Sequence, residues 1–91
     1  MVKHLNINVF GKVQGVFFRV YTQKKAEELG LTGFVQNEPD GSVYIEAEGE
    51  ETLLKDFTSW CNVGSPNAEV SKVIITEGGI KNFSGTFYIN R

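Results

Sequence analysis

The chain has a single cysteine, so it can form no intrachain disulfide and offers no multi-cysteine metal site. Cys61 is expected to be inert packing in a reducing compartment, because free cysteine is among the most buried residue types. Positive charge is also scarce: nine Lys and Arg stand against eleven Asp and Glu, a formal charge of −2. Nucleic-acid domains usually show a basic face, so this balance argues against a phosphate-backbone binder. No apolar run approaches the roughly 20 residues that span a bilayer, and the first six residues lack the apolar centre of a signal peptide. A soluble cytoplasmic protein is the expectation, with no nucleic-acid and no membrane partner. One histidine and no cluster of metal-ligating side chains leave no metal and no cofactor to expect.

What is present is enough for one domain. With 41% hydrophobic residues, positions 1–91 can bury one core and have no room for a second. Leu5, Ile7 and Val9 alternate with His4, Asn6 and Asn8, a period of two that predicts a strand ending near Gly11. From Phe18 the spacing becomes helical through Thr22, Ala26 and Leu29, with Gly30 as the C-cap. Phe34 to Gln36 and Val43 to Glu48 flank Glu38-Pro39-Asp40-Gly41, a turn sequence that makes them a hairpin. In its second strand Val43, Ile45 and Ala47 face one way and Tyr44, Glu46 and Glu48 the other, so only one face is expected to be buried.

Leu53, Leu54, Phe57, Trp60 and Cys61 return to helical spacing over about Glu50 to Asn62. A β-branched stretch from Glu69 to Thr76 predicts a fourth strand, and Thr86 to Ile89 a short terminal one. The order βαββαβ plus a short C-terminal strand is that of an α+β, ferredoxin-like split-βαβ sandwich: an antiparallel sheet with two helices on one face.

Such a fold says little about function; the segment Gly11-Lys12-Val13-Gln14-Gly15-Val16-Phe17-Phe18-Arg19 is more specific. It joins a strand to a helix through glycines. The first N–H groups of a helix have no intrahelical partner and sit at the positive end of its dipole, which suits an anion. Arg19 falls in that first turn, where a cation is locally unfavourable unless something such as a bound anion compensates it. The bland alternative is a plain strand-to-helix turn.

The same residues resemble the acylphosphatase family. Val9-Phe10-Gly11-Lys12-Val13-Gln14-Gly15-Val16-Phe17-Phe18-Arg19 is similar to its signature V-x-G-x-V-Q-G-V-x-[FY]-R at every specified position. Gly33 to Val43, with Gly49 six residues on, is similar to a second signature, G-[FYW]-V-x-N-x-x-x-G-x-V-x-x-x-x-x-G. The likeness continues through Gly64 to Val70 and Phe87-Tyr88-Ile89, and so covers essentially the whole chain.

The resemblance implies a stand-alone, metal-free enzyme that hydrolyses small acyl phosphates to a carboxylate and inorganic phosphate. It also implies that the backbone amides of Gln14, Gly15, Val16, Phe17, Phe18 and Arg19 hold the phosphoryl oxygens. Arg19 would clamp the phosphate, and Asn37 would orient the attacking water. Without the resemblance, Asn37 reads equally as a turn residue. The family's sheet order, with the first strand central, would carry Asn37 toward the cradle. Inorganic phosphate and sulfate are expected to inhibit, and a monomer is expected. A different class of protein, a non-catalytic anion-binding or regulatory module, would use the same cradle but has no need of a water-orienting amide. A related domain is fused to larger carbamoyl-transfer proteins.

The remaining polar residues take simpler readings. His4, at an outward strand position, is expected to be solvated and not a general base. Glu46, Glu48, Glu50 and Glu51 are expected to form a solvated face. Phe10, Phe17 and Tyr44 could stack on RNA bases, but the acidic balance and the lack of a basic-aromatic motif count against it.

Overall fold

The computed structural model of the chain describes residues 1–83 and 85–90. Its elements run β1 (Val2–Lys12), α1 (Phe18–Glu28), β2 (Thr32–Asn37), β3 (Val43–Glu50), α2 (Glu51–Cys61), β4 (Glu69–Gly78) and β5 (Phe87–Ile89). Each periodic segment of the sequence became the element it predicts. The strands run longer than expected: β2 spans Thr32–Asn37 where Phe34 to Gln36 was expected, and β4 carries on past Thr76 to Gly78.

The strands make one sheet in the order β4-β1-β3-β2-β5. The expected central position of β1 is corrected: β1 is interior, paired to β3 and β4, but β3 occupies the middle. The sheet is also not wholly antiparallel, because β5 pairs with β2 in parallel register, Gly33 opposite Phe87 and Val35 opposite Ile89. After β4 at one edge the chain turns back to reach the opposite edge, and so arrives running the same way as β2.

One face of the sheet carries the core. Phe18, Thr22 and Ala26 of α1 and Leu54, Phe57 and Cys61 of α2 are buried, and Ile7, Val9, Val35, Val43, Ile45 and Ala47 are fully buried beneath them. Fully burying a side chain of this size contributes about 1.5–3 kcal/mol, so these few residues carry much of the folding energy. Cys61 is part of this core, as expected, and burial pushes its thiol up to about 12.

The other face departs from expectation. His4 is fully buried, and Glu46 and Glu48 are nearly so. The solvated readings of His4, Glu46 and Glu48 are therefore corrected, as is the expectation of a single buried face. The cause is the return of the chain from β4, which lays Lys81 and Phe83 over this surface. The Phe83 ring centroid is 5.5 Å from that of His4, and Phe83 meets Phe34 edge to face. Lys81 Nζ sits 3.0 Å from Glu46 Oε1, and the Lys81 backbone N–H donates to Glu48 Oε1 at 2.8 Å.

Candidate active site

β1 and β2 both run antiparallel to β3, which lies between them, so their C-terminal ends emerge at the same edge of the sheet. The end of β1 leads into the glycine-containing loop that enters α1, and the end of β2 is Asn37. Two strand spacings, about 10 Å, separate the two ends. Residues distant in sequence thus meet over the start of β3.

Among the described residues, the backbone N–H groups of Gln14 through Arg19 donate to no protein acceptor. They form a continuous run of open donors entering a helix whose first turn contains no acidic side chain. The backbone bends to make it. Gly15 has φ +75, and Phe17, at the N-cap, is left-handed with φ 59. A non-glycine residue in that region costs energy and tends to persist where function requires the conformation.

Neighbouring side chains hold the loop. Gln14 Nε2 donates to the carbonyls of Glu38 and Ser42, each at 2.9 Å, and so ties the loop to the turn just after Asn37. Buried Ser65 donates its hydroxyl to the carbonyl of Val16 at 2.9 Å. Gly64, at φ +78, lies against the Phe18 ring; an added Cβ there would fall 2.7 Å from Phe18 Cε2. The first turn of α1 is thereby packed against the end of α2.

A cleft of about 380 Å³ opens over the loop. Of the residues expected at the site, Gln14, Gly15, Phe17, Phe18, Arg19 and Asn37 line it. Val16 does not: its side chain is buried, though its N–H remains one of the open donors. The lining also includes Val13, Val20 and Ile89, which sequence reasoning left out. Ile89 arrives only through the parallel pairing of β5 with β2, for which no local sequence signal exists. Val20 was available in principle, as the neighbour of Arg19 on the first turn.

Arg19 and Asn37 are both half-buried and share this cleft. Among the described residues Arg19 forms no ion pair with a carboxylate, so its guanidinium charge is not consumed within the fold. The cleft is lined by residues that carry open N–H donors, a permanent cation and a neutral amide, together with the exposed Phe17 ring, Val20 and Ile89. Such a set can hold a tetrahedral dianion and leave one polar group to hold a water. Among the described residues no three His, Cys, Asp or Glu side chains are grouped to hold a metal ion. His4 lies elsewhere, in the part of β1 that pairs with Glu48 and Gly78.

A family model described as Acylphosphatase matches residues 5–89. An acylphosphatase of Marinobacter nauticus is 49% identical over 76 residues, which cover 84% of this chain and 83% of the relative. The solved structure of an acylphosphatase from Coxiella burnetii superposes with a TM-score of 0.94 at 42% identity, covering 98% of this chain and 93% of that one. The crystal structure of acylphosphatase from Bacillus subtilis gives a TM-score of 0.93 at 37% identity, with both chains covered in full.

Proposed function

The chain belongs to the acylphosphatase family and hydrolyses acyl phosphates; from that premise we propose how its own residues do so. The phosphoryl oxygens lie on the N–H groups of Gln14 to Arg19. The Arg19 guanidinium closes over them with a two-pronged, permanently charged contact. Asn37 holds a water in line with the phosphorus, on the side opposite the acyl oxygen. The observation that carries this reading is the meeting of the open amide run, Arg19 and Asn37 around one cleft, although Asn37 lies 18 positions beyond Arg19.

The chemistry suits so small a set of groups. The leaving group is a carboxylate whose conjugate acid has a pKa of about 4, so it departs without protonation and needs no general acid. What remains is to position a water and to stabilise charge on three equatorial oxygens, which amides and a guanidinium do. The proton of the water passes to the bound phosphate or to solvent. The acyl group has Phe17, Val20 and Ile89 to rest against. No metal or other cofactor is invoked. Inorganic phosphate and sulfate compete for the amides. The protein acts as a monomer of one domain in the cytoplasm.

The test is phosphate release from acetyl, benzoyl and carbamoyl phosphate by purified protein, with and without excess EDTA. Hydrolysis that is unaffected by EDTA and inhibited competitively by phosphate is the expected result. Activity that vanishes with EDTA and returns with magnesium overturns the metal-free mechanism.

A further inference from the structure

We infer that the side chain of Gln14 is a positioning residue that acts through Asn37; this goes beyond the backbone role of Gln14 in the cradle and rests on the role proposed for Asn37. The geometry carries it. Gln14 Nε2 lies 2.9 Å from the Glu38 carbonyl and 2.9 Å from the Ser42 carbonyl. A terminal amide nitrogen has two protons, and both are used. Two carbonyl acceptors also fix which end of the amide faces the turn, since the oxygen could donate to neither.

Those two carbonyls are the ends of the turn that begins immediately after Asn37. Glu38 N–H donates to the Ser42 carbonyl at 2.9 Å, and Gly41 N–H donates to the Glu38 carbonyl at 3.1 Å. Asn37 itself is the last residue of β2, paired with Val43. The turn could form without Gln14, because its own backbone bonds close it. What Gln14 adds is a fixed distance between that turn and the loop whose N–H groups face the anion. The site has two halves on separate strands, and a water held by one must line up with a phosphorus held by the other. An error of about 1 Å in that alignment can cost on the order of 10²-fold in rate.

The test is a double-mutant cycle read by steady-state kinetics on benzoyl phosphate and by phosphate inhibition. Gln14→Met keeps the length of the side chain and removes both donors. The expected outcome is a fall in kcat of about tenfold or more, with the phosphate inhibition constant within about threefold of the parent. In an Asn37→Ala background the same substitution should have almost no further effect, since the group it positions is gone. Gln14→Lys, whose ammonium can reach both carbonyls, should recover most of what Gln14→Met loses.

An unchanged kcat in Gln14→Met overturns the inference, as does an equal loss in both Asn37 backgrounds. A parallel collapse of phosphate binding also overturns it, because the side chain would then serve the cradle. A Gln14→Met protein that fails to fold makes the residue a structural tie and overturns it as well. If instead Asn37→Ala by itself leaves kcat intact, the proposed role of Asn37 fails first, and the two failures are told apart.

Discussion

Nε2 of His4 lies 2.8 Å from Oε1 of Glu46, with both groups sequestered on the sheet face that carries no helix. The other ring nitrogen, Nδ1, lies 2.9 Å from Glu48 Oε1. Each ring nitrogen thus has its own carboxylate partner. The Tyr44 hydroxyl donates to Glu46 Oε2 at 2.7 Å, and burial together with that carboxylate pushes Tyr44 up to about 12. The arrangement is a closed polar network, and its members depend on one another.

His4→Leu should therefore destabilise the protein. It strips one hydrogen-bonded partner from each of two buried carboxylates, and leaving such groups unpaired costs roughly 2–4 kcal/mol. Urea unfolding should show a lower midpoint at unchanged slope. Activity per folded molecule should be unaffected, because His4 lies away from the cleft. A variant as stable as the parent would mean that the glutamates are satisfied by Tyr44 and Lys81 alone.

The same network sets the response to acid. Burial pushes Glu46 upward, but hydrogen bonds from Tyr44, Lys81 and His4 outweigh it and leave the group below its ordinary value of 4.5. Glu48 is likewise lowered in spite of burial, through the Lys81 backbone N–H and His4. A carboxylate depressed in the folded state contributes stability that is fully present above its unfolded pKa and is lost as pH falls through the folded one. Stability should hold down to about pH 5 and decline progressively below the ordinary value of 4.5. In His4→Leu the two carboxylates lose a contact that holds them low, so the acid-driven loss should be smaller than in the parent, starting from a lower stability at neutral pH, which thermal melts across a pH series would resolve.

Arg19→Lys should be severe for activity and mild for stability. An ammonium keeps the charge but cannot reproduce two parallel hydrogen bonds to a phosphoryl group. If each charge-assisted bond is worth about 1.5–3 kcal/mol, kcat/KM should fall on the order of 10²-fold or more. Phosphate inhibition should weaken in step. Near-normal kinetics would reduce Arg19 to a surface charge.

Asn37→Ala should separate chemistry from binding. Loss of one preorganised contact to the reacting centre typically lowers kcat by about 10²–10³-fold, while phosphate, which the amide does not touch, should bind within a few-fold of the parent. Kinetics on benzoyl phosphate and phosphate inhibition on the same preparation provide the comparison. Equal losses in both would return Asn37 to the role of a turn residue.

Local pattern was sufficient for the elements here: most have a buried stripe of their own, such as Ile7 and Val9 or Phe18, Thr22 and Ala26, and β4, which has no buried residue, is marked by its β-branched content instead. It could not say what lies over the second face of the sheet. His4, Glu46 and Glu48 have the alternation of outward residues, and that is where they point; the return segment with Lys81 and Phe83 makes outward a buried direction. The candidate site was legible for a different reason. Gln14 to Arg19 is one contiguous loop whose donors are backbone groups, so the glycines and Arg19 mark it without tertiary knowledge. Asn37 was reached only through the family resemblance, and Ile89 not at all, because each joins the cleft through strand pairing.

β1 precedes both of its sheet neighbours in the chain, and they are far from it: one begins at Val43 and the other at Glu69. Until Gly78 has emerged, a nascent chain can pair β1 on one side only, and the other side presents a row of unused N–H and C=O groups. The sheet is therefore assembled from pairings remote in sequence, which places its folding toward the slow side for a chain of this size. The interval before β4 arrives is the period in which newly made copies are most prone to stick to one another.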